Sequence, residues 1–187
     1  MNLYINMVAG SILPVCMCDG ELKFLFGKEN PMEDSAKGFS DFGGRVEKGE
    51  SIFAGALREG SEELSGFLGN KKELRNLIKK QGGTLNHCHD KYHVHMFHYP
   101  HSEDLVTYYN QNHKFLWNNM DKQVLNKSKL FEKIEIQWFS EREIRSKLHL
   151  FRPFYRVIVL ELLDRKDEIK AFLNPKSKPN KTRKKRV

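Results

Sequence analysis

Three glutamates in the first half of the chain have the spacing best suited to chemistry. Glu59, Glu62 and Glu63 lie within five consecutive residues, and a helix turns about 100° per residue, so their carboxylates fall within roughly 100° of one another. Like charges at these spacings destabilise a bare helix by roughly 0.2–0.5 kcal/mol per pair. A hard divalent cation offsets this repulsion best, because Mg²⁺ prefers oxygen ligands and commonly bridges carboxylates to phosphates. These residues alone leave a solvated acidic helix face as the alternative.

The position of the three glutamates favours the cation. They lie near the C-terminal end of a predicted helix, 51–64, where the helix dipole disfavours negative charge. Ser51 is its expected N-cap and Gly66 its left-handed C-terminal stop. The helix is predicted from apolar positions spaced by four, three and four residues, namely Phe53, Leu57, Gly60 and Leu64. This stripe lies opposite the glutamates, so one face is expected to be buried and the other to present all three carboxylates.

Residues on either side could support the same site. Arg58 lies four positions before Glu62 and could orient a carboxylate. Gly43 and Gly44 precede the helix, and a glycine-rich loop lets backbone groups approach a metal or a phosphate closely. The segment therefore combines acidic, basic and glycine positions that suit phosphate chemistry.

These positions together resemble the signature of a known family, the Nudix hydrolases. The residues that match are Gly44-x5-Glu50-x7-Arg58-Glu59-x2-Glu62-Glu63. Ser65 stands where the family usually has glycine, and Gly60 and Gly66 stand where it usually has aliphatic residues. These departures affect the packing and the exit turn of the helix, and every charged position is kept.

The resemblance implies a fold, an activity and a cofactor. The implied fold class is α/β, with the Nudix arrangement of an α/β/α sandwich on a mixed β-sheet. The implied activity is hydrolysis of a phosphoanhydride bond in a nucleoside diphosphate linked to another group, with Mg²⁺ or Mn²⁺ as cofactor.

The resemblance also assigns roles to individual residues. Glu59, Glu62 and Glu63 would bind the cation, with the carbonyl of Gly44 as a further ligand. The same three glutamates and Arg58 would form the catalytic set, and either Glu62 or Glu63 would help to deprotonate the attacking water. The base of the family varies, so further candidates outside the signature are Glu132, Glu135, Glu141 and Glu143.

Other residues are expected to support the site or to bind substrate. Glu50 would pair with Arg58, and Gly43 would support the loop. Arg45, between the glycines and the helix, is a candidate substrate-binding residue. A second group of substrate-binding candidates lies in the C-terminal tail: Lys184, Lys185 and Arg186.

That tail carries almost all of the excess charge. The formal net charge is +8, and residues 176–187 contain seven basic residues and no acid. Such a segment is typical of a disordered tail at 174–187 that contacts RNA phosphates nonspecifically. A solvated tail or a nuclear-import signal is the alternative.

The substrate remains open between two classes. A nucleotide or capped RNA is expected, and the basic tail favours an enzyme that removes the 5′ cap of RNA, leaving a nucleoside diphosphate and 5′-monophosphate RNA. Diphosphoinositol polyphosphates and dinucleoside polyphosphates are the alternative substrates. A third hypothesis is an inactive Nudix-fold module that binds RNA or nucleotides.

The remaining patterns predict a single domain, 1–173, with an insertion or lid near 100–132. Strands are expected at 9–18, 22–26, 92–99 and 134–139, helices at 71–80, 141–148 and 155–172, and a loop at 28–40. Pro14 favours an edge or bulged position for the first strand. Neither a secretory signal, a membrane span nor a disulfide framework is expected, which indicates an intracellular, cytoplasmic protein, or a nuclear one if the tail directs import.

Two clusters have no assigned role. The aromatic residues of the insertion could stack on nucleobases or belong to the core; they are Tyr108, Tyr109, Phe115 and Trp117. Six histidines lie within 87–101. They could line a phosphate-binding cleft or lie exposed, and their spacing matches no recognised zinc motif.

Overall fold

The structure is a computed structural model that describes residues 8–30, 37–128, 130 and 132–174. The tail residues Lys184, Lys185 and Arg186 lie outside this part of the chain. The described strands are Ala9–Cys18 (β1), Glu21–Glu29 (β2), Phe39–Ser40 (β3), Phe42–Arg45 (β4), Leu85–His89 (β5), Tyr92–His98 (β6) and Lys133–Ser140 (β7). The described helices are Ile52–Glu63 (α1), Lys71–Lys80 (α2), Glu103–Asn119 (α3), Lys122–Ser128 (α4), Glu141–Ser146 (α5), Tyr155–Asp164 (α6) and Lys166–Leu173 (α7).

The strands form one mixed sheet. Its order is β3-β2-β1-β6-β5, with β4 paired to β1 and β7 paired to β2. The pair β1–β6 is parallel, and the other described pairs are antiparallel. Because β1 and β6 run in the same direction, the chain between them must cross the sheet, and α1 and α2 lie in that crossover.

The first strand is central, so the edge position expected from Pro14 is wrong. Strand β1 pairs with β6 along one side, from Ala9 to Val15. On its other side, the ladder with β4 ends at Ile12 and the ladder with β2 starts at Val15. Pro14 lies between these two antiparallel ladders, where a missing N–H donor costs least.

Helices cover both faces of the sheet, which confirms the expected α/β/α sandwich. On one face α1, α2 and α3 pack through buried side chains that include Leu57, Leu74 and Tyr109. On the other face α5, α6 and α7 pack through Ile144, Val159 and neighbouring apolar residues. No helix among the described residues combines the length and the apolar character needed to cross a lipid bilayer.

Some element boundaries differ from the expected ones. Strand β2 continues to Glu29, and β3 and β4 lie where the end of a loop and the glycine pair were expected. The long C-terminal helix is divided at Arg165, which separates α6 from α7. The segment expected as an insertion contains α3 and α4, and α3 belongs to the core because Leu105 and Tyr109 are buried.

One buried histidine gives the fold a dependence on pH. The Nδ1 atom of His95 lies 2.8 Å from Oδ1 of Asn86, its ring packs edge-on against Phe53, and Nε2 is buried without a hydrogen-bond partner in the described structure. Burial, with a smaller contribution from His93, lowers the pKa of His95 from 6.5 to about 4. At pH values between about 4 and 6.5, the unfolded chain binds a proton at this histidine and the folded chain does not.

We therefore expect His95 to make the protein less stable as the pH falls from 6.5 towards 4, and to have no such effect above 6.5. Chemical denaturation at several pH values should show this loss, with a smaller slope in His95→Leu. The matched control is His149→Leu, at an exposed position, and it should keep the wild-type slope. An unchanged slope in His95→Leu would contradict the expectation.

Candidate active site

Helix α1 begins and ends as its sequence predicts. The side chain of Ser51 accepts a hydrogen bond from the backbone N–H of Ala54 at 3.2 Å. At the other end Ser65 and Gly66 both have positive φ, 49° and 74°. Ser65, which replaces the usual glycine, therefore adopts the left-handed conformation at the exit turn, and this departure from the family signature leaves the turn intact.

Glycine at position 60 brings α1 close to the sheet. A Cβ atom there would lie 2.5 Å from Cδ1 of Ile12 on β1. The departure from the family's aliphatic residue therefore has a steric reason, since only a residue without a side chain allows this approach. The helix carrying the glutamates is thus packed directly against the central strand.

The side chain of Arg58 contacts three carboxylates at the candidate site. Its guanidinium lies 2.9 Å from Oε1 of Glu50, 2.7 Å from Oε1 of Glu59 and 3.5 Å from Oε2 of Glu62. It also donates to the backbone carbonyl of Arg45 at 2.9 Å. The contact with Arg58, together with the backbone N–H of Glu47, lowers the pKa of Glu50 below its usual value. Arg58 thus links α1 to the preceding loop through more partners than the sequence indicated.

The carboxylate of Glu59 lies against Gly44 on strand β4. A Cβ atom on Gly44 would lie 2.7–2.9 Å from the carboxylate of Glu59. The absence of a side chain at Gly44 is therefore what lets this carboxylate reach the backbone of β4. The structure brings together Glu59 and Gly44, which the resemblance had placed in one site.

Glu63 differs from the expectation, because it is buried and does not share an exposed face with the other glutamates. Its side chain is 6% exposed, whereas that of Glu62 is 51% exposed. One oxygen, Oε2, accepts a hydrogen bond from the backbone N–H of Gly43 at 2.7 Å. Glu63 is the last residue of α1, so its side chain can turn towards the sheet rather than towards solvent.

Lys133 is the partner of Glu63 that the sequence did not reveal. Its ammonium lies 3.0 Å from Oε1 of Glu63 and 2.7 Å from Oε2 of Glu29. Although burial opposes its charge, Glu63 and Glu29 outweigh that effect and raise the pKa of Lys133. Glu29 and Lys133 lie opposite each other on β2 and β7, and this pairing can be known only from the sheet register.

A buried polar network supports the strand β4, which carries Gly43. Asp41 accepts hydrogen bonds from the side chains of Ser11 and Tyr92. Burial raises the pKa of Asp41 despite these hydrogen bonds. The N–H of Gly43 that reaches Glu63 is therefore placed by a segment anchored two residues earlier.

A cleft opens beside Glu59. Its volume is about 460 Å³, and it is lined by Arg45, Glu47, Lys48 and Glu59. Two cations thus lie next to a carboxylate of the glutamate cluster. Arg45 was expected from its sequence position, and Lys48 was not singled out because an exposed lysine in a loop carries no distinctive signal.

A solved structure shares this architecture over nearly the whole chain. It is a mutT/nudix family protein from Listeria innocua, with 13% sequence identity and a TM-score of 0.50, covering 88% of this chain and 96% of that one. The chain has the Nudix fold. Two further matches are an Ap4A hydrolase from C. elegans (16% identity, TM-score 0.42, 89% of this chain and 98% of that one covered) and a NUDIX hydrolase from Nitrosomonas europaea (19% identity, TM-score 0.41, 88% and 90% covered). No protein-family model and no curated protein sequence matches the chain.

The donor set at this position of the Nudix fold fits a hard divalent cation. No group of three or more His, Cys, Asp or Glu side chains in the described part of the chain is already arranged around one point for a metal. The side chains of Glu59, Glu62 and Glu63 nevertheless offer carboxylate oxygens from one helix end, and the lack of a side chain at Gly44 lets the carboxylate of Glu59 lie against the adjacent backbone. An all-oxygen set of this kind is what Mg²⁺ and Mn²⁺ prefer.

Three of the four candidate bases outside the signature lie elsewhere in the Nudix fold. The fourth, Glu132, lies near enough to Glu63 for its charge to add to the effect of burial, which raises the pKa of Glu63. Glu135 pairs with Lys28 at 3.4 Å. Glu141 and Glu143 lie on α5, whose Ile144 packs in the core on the face opposite α1. Glu141 and Glu143 are therefore separated from the glutamate cluster by the sheet.

The histidine and aromatic clusters are not concentrated at this site. His87 and His89 both contact the carboxylate of Glu161, at 2.8 and 2.9 Å, and so join β5 to α6. In the aromatic cluster Tyr109 is buried, whereas Tyr108 and Phe115 are 58% and 64% exposed. The cluster thus divides between the core and the surface.

Proposed function

We propose that the protein is a divalent-metal-dependent Nudix pyrophosphohydrolase that cleaves a nucleoside diphosphate linked to another group. The observation that carries this proposal is the position of Arg58, which contacts both Glu59 and Glu62, beside a cleft that is lined by Glu59 together with Arg45, Lys48 and Glu47. Carboxylates for a cation next to cations for phosphate are what hydrolysis of a phosphoanhydride requires. The volume of the cleft is within the usual range of small-molecule sites.

The glutamates would hold the cation and Arg58 would keep them in place. Glu59, Glu62 and Glu63 are the proposed ligands of Mg²⁺ or Mn²⁺, with the carbonyl of Gly44 as a further ligand. When bound, the cation neutralises phosphate charge and lowers the pKa of coordinated water. Arg58 fixes the side chains of Glu59 and Glu62 through its planar fork, which reduces the reorganisation needed when substrate binds.

Glu62 suits the role of proton acceptor better than Glu63 does. Its side chain is half exposed, whereas both oxygens of Glu63 already have partners in Gly43 and Lys133. Arg45 and Lys48, which line the same cleft as Glu59, would bind the phosphates of the substrate, because phosphate oxygens are strong acceptors for both cations.

The finer part of the proposal is that the substrate is the 5′ cap of RNA. Its support is the run of seven basic residues in 176–187, which suits nonspecific contact with RNA phosphates. Exposed aromatic side chains at Tyr108 and Phe115 offer additional surfaces for base stacking. Lys184, Lys185 and Arg186 keep their proposed role in contacting RNA, and import into the nucleus is an alternative role for the same segment.

Release of the labelled cap from capped RNA tests the proposal. We expect a nucleoside diphosphate to appear with Mg²⁺ or Mn²⁺ and no product to appear with a chelator. Deletion of 176–187 should weaken RNA binding at low salt and leave the cleavage of small nucleotides unchanged. Cleavage of dinucleoside or diphosphoinositol polyphosphates without release of the cap would reject the RNA substrate and keep the enzyme class. Binding without cleavage of any of these substrates would favour an inactive binding module.

A further inference from the structure

Lys133 is buried and has an acceptor for each of its three N–H groups. Its ammonium lies 2.7 Å from Oε2 of Glu29, 3.0 Å from Oε1 of Glu63 and 3.2 Å from Oγ of Ser40. The lysine side chain has no exposed surface. A buried ammonium is costly unless it is paired and hydrogen-bonded, so these three acceptors fix its position.

Lys133 and Gly43 on strand β4 hold Glu63 from two sides. Oε2 of Glu63 accepts from the N–H of Gly43 at 2.7 Å, and Oε1 faces the ammonium of Lys133. A carboxylate held at both oxygens has little freedom to rotate. If Lys133 were removed, the charge of this buried carboxylate would lose the cation that compensates it.

The two carboxylates beside Lys133 do not depend on it equally. Oε2 of Glu29 also lies 3.2 Å from Nη1 of Arg152, so Glu29 keeps a cation when Lys133 is replaced. Space for the lysine stem depends on Gly27, where a Cβ atom would lie 2.8 Å from Cγ of Lys133. The surrounding residues thus provide room for Lys133 and leave Glu63 as the partner most affected by its loss.

We propose that Lys133 is a positioning residue of the metal site, which acts through Glu63 by fixing the orientation of its carboxylate and compensating its charge before a cation binds. This inference rests on the proposed function, because it takes Glu63 as a ligand of the cation. Lys133 itself does not touch the cation or the substrate. The role is electrostatic and geometric, and it connects strand β7 to the end of α1.

A double-mutant cycle on Mn²⁺ affinity tests this role. Binding is measured by the electron paramagnetic resonance signal of free Mn²⁺ for wild type, Lys133→Met, Glu63→Gln and the double variant. We expect Lys133→Met to weaken Mn²⁺ binding by about 10-fold in the wild-type background, as a lost supporting contact typically does. In the Glu63→Gln background the same change should weaken binding by less than about 2-fold, because contacting residues couple.

The matched control is Lys28→Met, on the strand that β7 pairs with. Lys28 contacts Glu135 at 3.4 Å, and both side chains are partly exposed. This variant should bind Mn²⁺ as wild type does. If circular dichroism shows that Lys133→Met is unfolded, Gly27→Ala replaces it. The added methyl keeps every charge but would lie 2.8 Å from both the lysine stem and the ring of Phe42. It should weaken binding in the wild-type background and by less than about 2-fold in the Glu63→Gln background, which separates the effect on Lys133 from a general effect of the displaced ring.

The outcomes separate this inference from the proposed function. Unchanged or tighter Mn²⁺ binding in the folded variant, an equal loss in both backgrounds, or no Mn²⁺ binding by wild type would overturn the role of Lys133. Metal-dependent hydrolysis by a wild type whose Mn²⁺ affinity does not depend on Lys133 would remove the inference and keep the function. Coupling between Lys133 and Glu63 without hydrolysis of any tested substrate would keep the inference and remove the function.

Discussion

Replacing Glu63 by glutamine should nearly abolish hydrolysis while the protein stays folded. The change removes one negative charge from the proposed ligands, and loss of several kcal/mol of transition-state stabilisation corresponds to about 100- to 1,000-fold in rate. The fold should survive because Lys133 keeps Glu29 and Ser40 as acceptors. Initial rates with saturating Mg²⁺ and Mn²⁺ measure the loss, and near-ultraviolet circular dichroism checks the packing.

The control for this change is Glu168→Gln. Glu168 lies on the helix α7, on the opposite face of the sheet from α1; it is 53% exposed and pairs with Arg165, which precedes that helix. This variant removes the same charge and should keep the wild-type rate. A Glu63→Gln protein with a wild-type rate would remove Glu63 from the proposed metal site.

Replacing Arg58 by lysine should lower kcat/KM by about 10- to 100-fold, the usual effect of losing a residue that orients metal ligands. Lysine keeps the charge but has no planar fork, so it cannot contact Glu50, Glu59 and Glu62 together. The loss should be larger than that caused by the same arginine-to-lysine change at an exposed position. Steady-state kinetics at several Mn²⁺ concentrations measure the loss in kcat/KM. Carboxylates that Arg58 no longer holds should also raise the Mn²⁺ concentration needed for half-maximal activity.

Arg145→Lys provides the matched control for the arginine. Arg145 pairs with Glu141 on α5 and is 50% exposed, so its replacement should leave the kinetics unchanged. Equal kinetics in Arg58→Lys and wild type would show that the network around Arg58 serves the loop rather than the reaction.

Local signals in the sequence predicted α1, α2 and the strands β1, β2, β6 and β7, whereas β5, α3 and α4 were not expected. The helix α1 could be predicted because apolar spacing, the N-cap at Ser51 and the exit turn at Gly66 all indicate the same limits. The α/β/α layering followed from the resemblance and is confirmed by the two cores on either face of the sheet. These features depend on residues close together in the chain, or on a spacing that a family preserves.

Features that depend on distant pairing could not be predicted. The central position of β1 requires knowledge of its partners, and Pro14 by itself indicated an edge or bulged strand. The burial of Glu63 depends on Lys133, which is far from it in the chain and reaches it only through the β2–β7 ladder. A charged residue in a sequence is expected to be solvated, so two buried charges that compensate each other give no local signal.

The parallel pairing of β1 with β6 also has a consequence for folding kinetics. Ala9 lies opposite Tyr92 in this ladder, so a long loop must close before the central strand gains its second neighbour, and such contacts of high sequence separation slow folding. The β4 backbone that contacts Glu59 and Glu63 pairs with the same part of β1, through Gly10 and Ser11. The acidic cluster should therefore reach its final geometry late, in the same cooperative step that completes the centre of the sheet.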